Sequence, residues 1–155
     1  MVAIASQIER WAHFYEDHKA VSAGVTYVHL AGVLMGGGLA IAADRASLRL
    51  APFSPDAKAE LERIGTVHRL VIAGLVISLL TGLLMMFADL KTYLPSVLFW
   101  TKMGLIALLA VNGAVRLRAE RALGNDAAAG WRAFRITSAV SLVLWFAILL
   151  AGSYL

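Results

Sequence analysis

The chain has 155 residues, of which 60% are hydrophobic and 15% are charged, with a formal net charge of +4. Ordinary soluble domains carry about 25% charged residues, so this composition excludes that class and favours an integral membrane protein. The absence of cysteine excludes disulfides, thiolate metal sites and c-type haem attachment.

The N-terminal residues 4–18 predict a short amphipathic helix. Ile4, Ile8, Trp11 and Tyr15 fall on one helical stripe, and the charged residues fall elsewhere. This pattern is typical of a helix that lies on the outer membrane surface. A cap over the mouth of a bundle is the alternative.

Four apolar segments follow, each with the length of a membrane-spanning helix, for which a bilayer needs about 20 mostly apolar residues. We predict spans over residues 21–43, 69–88, 96–116 and 134–154. Short connections make an up-down-up-down bundle the simplest topology. The predicted fold is an all-α, four-transmembrane-helix bundle, with residues 1–155 as a single integral membrane domain.

Small and helix-capping residues refine this prediction for the first two spans. Gly36 and Ala40 form a small-xxx-small pair, which predicts close packing against another helix. Ser54 is suited to cap the second helix and Pro55 to occupy its first position. From Pro55 no helix breaker occurs before about Asp89, which predicts a helix about 50 Å long.

Residues that favour turns also mark where the third and fourth helices begin. Leu94-Pro95-Ser96 predicts the start of the third helix, and Gly124-Asn125-Asp126 separates it from the fourth. In the fourth helix, Ser138, Ser141 and Trp145 lie on one stripe and predict its packing face.

The basic residues predict the orientation of the chain. Ten of them lie in the two connections that follow the first and third spans or at the span ends that border these connections, and three lie on the opposite side. The ten are Arg45, Arg49, Lys58, Arg63, Arg69, Arg116, Arg118, Arg121, Arg132 and Arg135. Since positive charge is retained in the cytoplasm, both termini are predicted outside, in the periplasm of a bacterium. Basic residues placed in this way bind lipid headgroups and give no support for nucleic-acid binding.

Two ionisable residues lie inside apolar spans, where charge is costly and a functional role is expected. Helix direction and rise place His29 and Lys102 at a similar depth, in the outer half of the membrane. The second helix brings Met85 and Met86 to the same layer. We therefore predict that His29, Lys102 and a methionine converge on one site, with His29 as a cofactor or metal ligand.

Each of these residues also has a structural interpretation. His29 can form an interhelical hydrogen bond, Lys102 can extend to the headgroups, and methionine commonly fills gaps in a core. His68 lies about 20 Å from His29 along the membrane normal, so one haem held by both is disfavoured. We predict that His68 pairs with Asp44 at the cytoplasmic edge.

Two segments resemble a known family. YVHLAGVLMGGGLAIAADRASLR has a His early in the first span, and FWTKMGLIALLAVNG has a Lys in the outer part of the third. Together they resemble the four-helix membrane protoporphyrinogen oxidases and the related copper-resistance D-like membrane proteins. The resemblance implies a small bundle with a b-type haem. Trp100-Thr101 stands where the oxidases place a second His, so the resemblance bears on the fold and a haem site rather than on the oxidase activity.

These observations predict a small bacterial inner-membrane protein that binds haem b or takes part in redox chemistry. His29 is the predicted axial ligand. The second ligand is Met85 or Met86, or that position is open and Lys102 faces a propionate or a substrate carboxylate. A non-catalytic accessory subunit of a larger membrane complex is the alternative, and a small transporter or metal-handling protein is a third. Expected partners are the lipid bilayer and other membrane subunits or further copies of the chain.

Overall fold

A computed structural model of the protein describes residues 2–51, 57–123 and 127–155, and this part of the chain is almost entirely helical. The helices are α1 Val2–Asp17, α2 Lys19–Arg49, α3 Ala57–Ala88, α4 Leu90–Tyr93, α5 Val97–Ala122 and α6 Ala127–Ser153. No strand occurs in these ranges. The prediction of an all-α fold with a short N-terminal helix is confirmed.

Four helices in the described ranges are long and apolar enough to cross a membrane: Lys19–Arg49, Leu61–Ala88, Val97–Arg121 and Gly130–Ser153. They cover the predicted spans to within one residue. Large apolar side chains are exposed on all of them, among them Leu34, Leu80, Val97 and Val143. Soluble proteins rarely expose so much apolar surface, and lipid tails are suited to cover it. These are the features of a multi-pass membrane protein.

The chain forms two compact units, to which α2 and α3 both contribute. The first unit comprises Met1–Gly38 and Leu70–Ser96. The second comprises Leu39–Arg69 and Val97–Leu155. A single membrane domain over residues 1–155 stays a prediction.

In the first unit, α1 is amphipathic as predicted and joins the end of α3. Ile8, Trp11 and Tyr15 are half-buried, whereas the charged side chains of α1 are exposed. The indole Nε1 of Trp11 donates a hydrogen bond of 2.8 Å to the Leu84 carbonyl. The side chain of Ile4 lies outside the described residues, and the location of α1 on the membrane surface stays a prediction.

Glycines let α2 and α3 pack as an antiparallel pair in the first unit. A Cβ built on Gly74 would lie 2.5 Å from the Gly36 nitrogen and 2.8 Å from the Gly32 oxygen. A Cβ on Gly36 would lie 3.1 Å from the Leu75 nitrogen. The two backbones therefore touch at this crossing, which confirms that Gly36 faces another helix. Ala40, the other member of the predicted pair, is buried.

Gly74→Ala is expected to destabilise the protein, because the added methyl group would overlap the backbone of α2. Overpacking of this kind typically costs about 1–3 kcal/mol. Gly38→Ala is the matched control, since nothing lies within 4 Å of its Cβ position. Thermal unfolding in detergent should show a lower midpoint for Gly74→Ala and an unchanged or slightly higher one for Gly38→Ala. Equal midpoints for the two variants would contradict the close crossing.

The connection between α3 and α5 contains a short helix that sequence reasoning did not predict. Asp89 caps α4 by accepting a hydrogen bond of 3.1 Å from the Thr92 backbone nitrogen. Partial burial and the nearby Asp89 carboxylate raise the pKa of the Tyr93 phenol above its ordinary value. Helix α5 begins at Val97, directly after the predicted Leu94-Pro95-Ser96 start. The predicted cap at Ser54 and the predicted turn at Gly124-Asn125-Asp126 lie outside the described residues.

In the second unit, α5 and α6 form an antiparallel pair. Asn112 Nδ2 donates a hydrogen bond of 2.9 Å to the Thr137 carbonyl. Toward one end of the pair, Trp131 and Phe134 pack edge to face and form a small core with Ala119. The predicted packing face of the fourth span is confirmed, because Ser138, Ser141 and Trp145 are all buried.

Candidate functional site

The imidazole of His29 extends from α2 to α3 within the first unit. Its Nδ1 lies 2.9 Å from the Ser78 carbonyl oxygen and 3.2 Å from the Thr81 hydroxyl oxygen. Thr81 is itself buried, and its hydroxyl donates a hydrogen bond of 2.7 Å to the Ile77 carbonyl. His29 is therefore held in a fixed orientation by an interhelical hydrogen bond.

These contacts identify the tautomer of His29. A carbonyl oxygen only accepts hydrogen bonds, so Nδ1 must carry the proton that is donated to Ser78. In the neutral imidazole, Nε2 then carries the lone pair. A backbone carbonyl on one ring nitrogen is the usual arrangement by which proteins orient a histidine that ligates a metal through the other.

Gly82 of α3 leaves space for the His29 ring. A Cβ built on Gly82 would lie 3.2 Å from the His29 Cε1 atom, so a larger residue would press on the imidazole. Met85 and Met86 follow near the end of α3, and both are half-buried. The first unit thus contains the predicted ligand and both candidate second ligands.

Lys102 belongs to the second unit and lies against the end of α6. A Cβ built on Gly152 would lie 3.2 Å from the Lys102 Nζ atom. The absence of a side chain at Gly152 therefore leaves space for the ammonium group beside the last turn of α6. The C-terminal end of a helix carries partial negative charge, which favours a cation there. The convergence of Lys102 with His29 and the methionines stays a prediction.

Sequence reasoning missed the strongest polar cluster of the second unit, which forms around Arg116. The guanidinium is buried and its Nη1 donates to Asp44 Oδ1 and, at 3.0 Å, to the Ser138 hydroxyl. Nη2 donates to the Ser47 hydroxyl at 2.8 Å, and Nε donates to Glu120 at 3.1 Å. One arginine therefore links α2, α5 and α6.

This cluster corrects the predicted partner of Asp44. The carboxylate pairs with Arg116 of α5 and not with His68 of α3, which is half-buried. Asp44 is buried to 2% exposure, and its Oδ2 has no hydrogen-bond partner among the described residues. A sequence signal was available: Asp44 and Ser47, and Ser138 and Ser141, are polar pairs three residues apart, the spacing that puts both side chains on one helix face.

Within the described ranges, no group of three or more His, Cys, Asp or Glu side chains is placed to hold a metal ion. Comparisons of the sequence and fold with family models, curated proteins and solved structures found no match.

Proposed function

We propose that the protein is a small membrane protein that binds a b-type haem, with His29 as the axial ligand. The observation that carries the proposal is the hydrogen bond from His29 Nδ1 to the Ser78 carbonyl. This hydrogen bond places a proton on Nδ1, so a neutral His29 has its lone pair on Nε2, which is the form that ligates iron. The imidazole also belongs to an apolar helix, where a lone histidine is otherwise costly.

The other groups are assigned by their chemistry. Met85 or Met86 would supply the second ligand from α3, as a methionine thioether does in cytochromes c. In the alternative, the second position is open and Lys102 would face a propionate or a substrate carboxylate. A haem with His ligation would supply one-electron transfer, and apolar helix surfaces would exclude water from it. The residues of the protein would orient the haem and determine the polarity around it.

Titration with haemin tests this proposal. The protein, purified in detergent, should take up one haemin per chain and develop a saturable Soret band. His68→Ala should bind with the same stoichiometry, since His68 is not assigned to the site. Absorption that rises without saturation, as for haemin dissolved in empty micelles, would contradict the proposal. The accessory-subunit alternative would then account for the chain.

The proposed location is the bacterial inner membrane, with both termini on the periplasmic side. The ten-to-three distribution of basic residues supports this orientation. The lipid bilayer is the first partner, and other membrane subunits or further copies of the chain are expected beside it.

Single cysteines test the orientation, because the natural chain has none. Ala51 and Thr92 are both exposed and follow the ends of α2 and α3. In intact cells, an impermeant maleimide should label Thr92→Cys, while Ala51→Cys should react only after the membrane is opened. The reverse pattern would show that the chain is inserted the other way round.

A further inference from the structure

The buried cluster around Arg116 carries more negative than positive charge. Arg116 donates hydrogen bonds to two carboxylates, Asp44 and Glu120. Its guanidinium also lies 4.8 Å from the centroid of the Phe134 ring. One positive charge is thus shared by two acids. Glu120 is the less buried of the two, with 26% of its side chain exposed, against 3% for Asp44.

The two oxygens of the Asp44 carboxylate have different surroundings. Oδ1 accepts from Arg116, while Oδ2 is buried and has no hydrogen-bond partner among the described residues. Leaving a buried ionised oxygen without a donor is costly, because neither water nor protein replaces its lost hydration. The hydroxyl of Ser141 lies beside this carboxylate.

The hydroxyl groups of Ser47 and Ser138 donate to backbone carbonyls and not to Asp44. Ser47 donates a hydrogen bond of 2.8 Å to the Ala43 carbonyl, and Ser138 donates one of 2.9 Å to the Phe134 carbonyl. Each hydroxyl oxygen then accepts from Arg116. Serines on helices commonly donate to the carbonyl four residues earlier. A hydroxyl group can accept as well as donate a hydrogen bond, so the Ser141 oxygen beside Asp44 is able to accept from a proton on Oδ2.

We infer that Asp44 is a proton-binding site. A proton on Oδ2 is donated to the Ser141 oxygen, while Oδ1 continues to accept from Arg116. Arg116 keeps its full charge and remains paired with Glu120. The proton comes from the aqueous phase and returns to it, and no other bond forms or breaks.

The charges around Asp44 favour a proton over a metal cation. The charged groups that face it are Arg116 and Glu120, both on α5. Helix α6 presents the hydroxyls of Ser138 and Ser141, and α2 that of Ser47. A sodium or potassium ion at Oδ2 would lie beside the Arg116 guanidinium and be repelled by it. A proton removes the surplus negative charge and adds the missing donor.

Infrared difference spectroscopy of the detergent-purified protein tests this site. At neutral pH the wild type should show the C=O band of a protonated carboxyl group, shifted in heavy water. Asp44→Asn should lose one such band, whereas Glu120→Gln should retain it. A wild-type spectrum without any protonated carboxyl band, or one that Asp44→Asn leaves unchanged, would overturn the inference. Haem binding at His29 does not enter either result.

Thermal unfolding provides a second test of the protonation of Asp44. Asparagine is neutral and close in shape to a protonated aspartate, so Asp44→Asn should keep the wild-type unfolding midpoint. It should also lose a pH dependence of the midpoint that Glu120→Gln retains. If Asp44 instead binds Arg116 as a permanent carboxylate, Asp44→Asn should lose stability or fail to fold. Either of those outcomes would overturn the inference.

Discussion

Replacing His29 by alanine is expected to remove bound haem completely, whereas replacing His68 should leave it in place. The Nδ1 atom of His29 donates to the Ser78 carbonyl, so in the neutral imidazole Nε2 carries the lone pair that can bind iron. His68 lies near the N-terminal end of the second apolar segment, next to Arg69. The Soret absorbance per chain of each purified variant measures the outcome.

Chemical rescue separates a lost ligand from a lost fold. His29→Gly leaves a space beside Gly82 and Thr81, and added imidazole should restore the Soret band there. Methyl-imidazole substituted on nitrogen should rescue less well, because it cannot both donate to Ser78 and bind iron. A band that survives in His29→Ala, or that disappears only in His68→Ala, would contradict the assignment.

Arg116→Gln should destabilise the protein by about 3 kcal/mol, since it removes a buried cation that several acceptors share. The guanidinium donates to Asp44, Ser47, Ser138 and Glu120 and links three helices. Glutamine is too short to reach all of them. Thermal unfolding in detergent, followed by circular dichroism, should show a clearly lower midpoint.

Arg118→Gln is the matched control for this substitution. It removes the same charge two residues away, from a side chain that is exposed. Exposed ion pairs contribute at most about 1 kcal/mol, so its midpoint should stay close to that of the wild type. Equal losses in both variants would show that net charge, and not the buried cluster, determines stability.

The fold was predictable because its main determinant is apolar length, which is local in sequence. The four spans are continuous runs of apolar residues, and a bilayer requires about 20 of them in each. Pro95 and the stripe at Ser138, Ser141 and Trp145 also gave the right helix start and packing face. Helix α4 was missed because four residues carry too little periodicity, although Asp89 and Thr92 have the spacing of a cap.

Side-chain pairing was less predictable, because it depends on how helices are rotated about their axes. Depth along the membrane grouped Asp44 with His68 and Arg116, but depth alone could not choose between the two partners. In the structure Asp44 pairs with Arg116, whose side chain faces the buried stripe of α6 and donates to Ser138. For His29, an interhelical hydrogen bond was the structural alternative to a ligand role. Its acceptor, the Ser78 carbonyl, is a backbone atom and leaves no signal in the residue types.

The reduced-minus-oxidised absorption spectrum of the protein, purified from membranes without added haem, tests the central claim most directly. The account predicts the Soret and visible bands of a b-type haem in the wild type, and their loss in His29→Ala prepared in the same way. A colourless wild-type protein, folded by circular dichroism and isolated from cells with an ample haem supply, would contradict it.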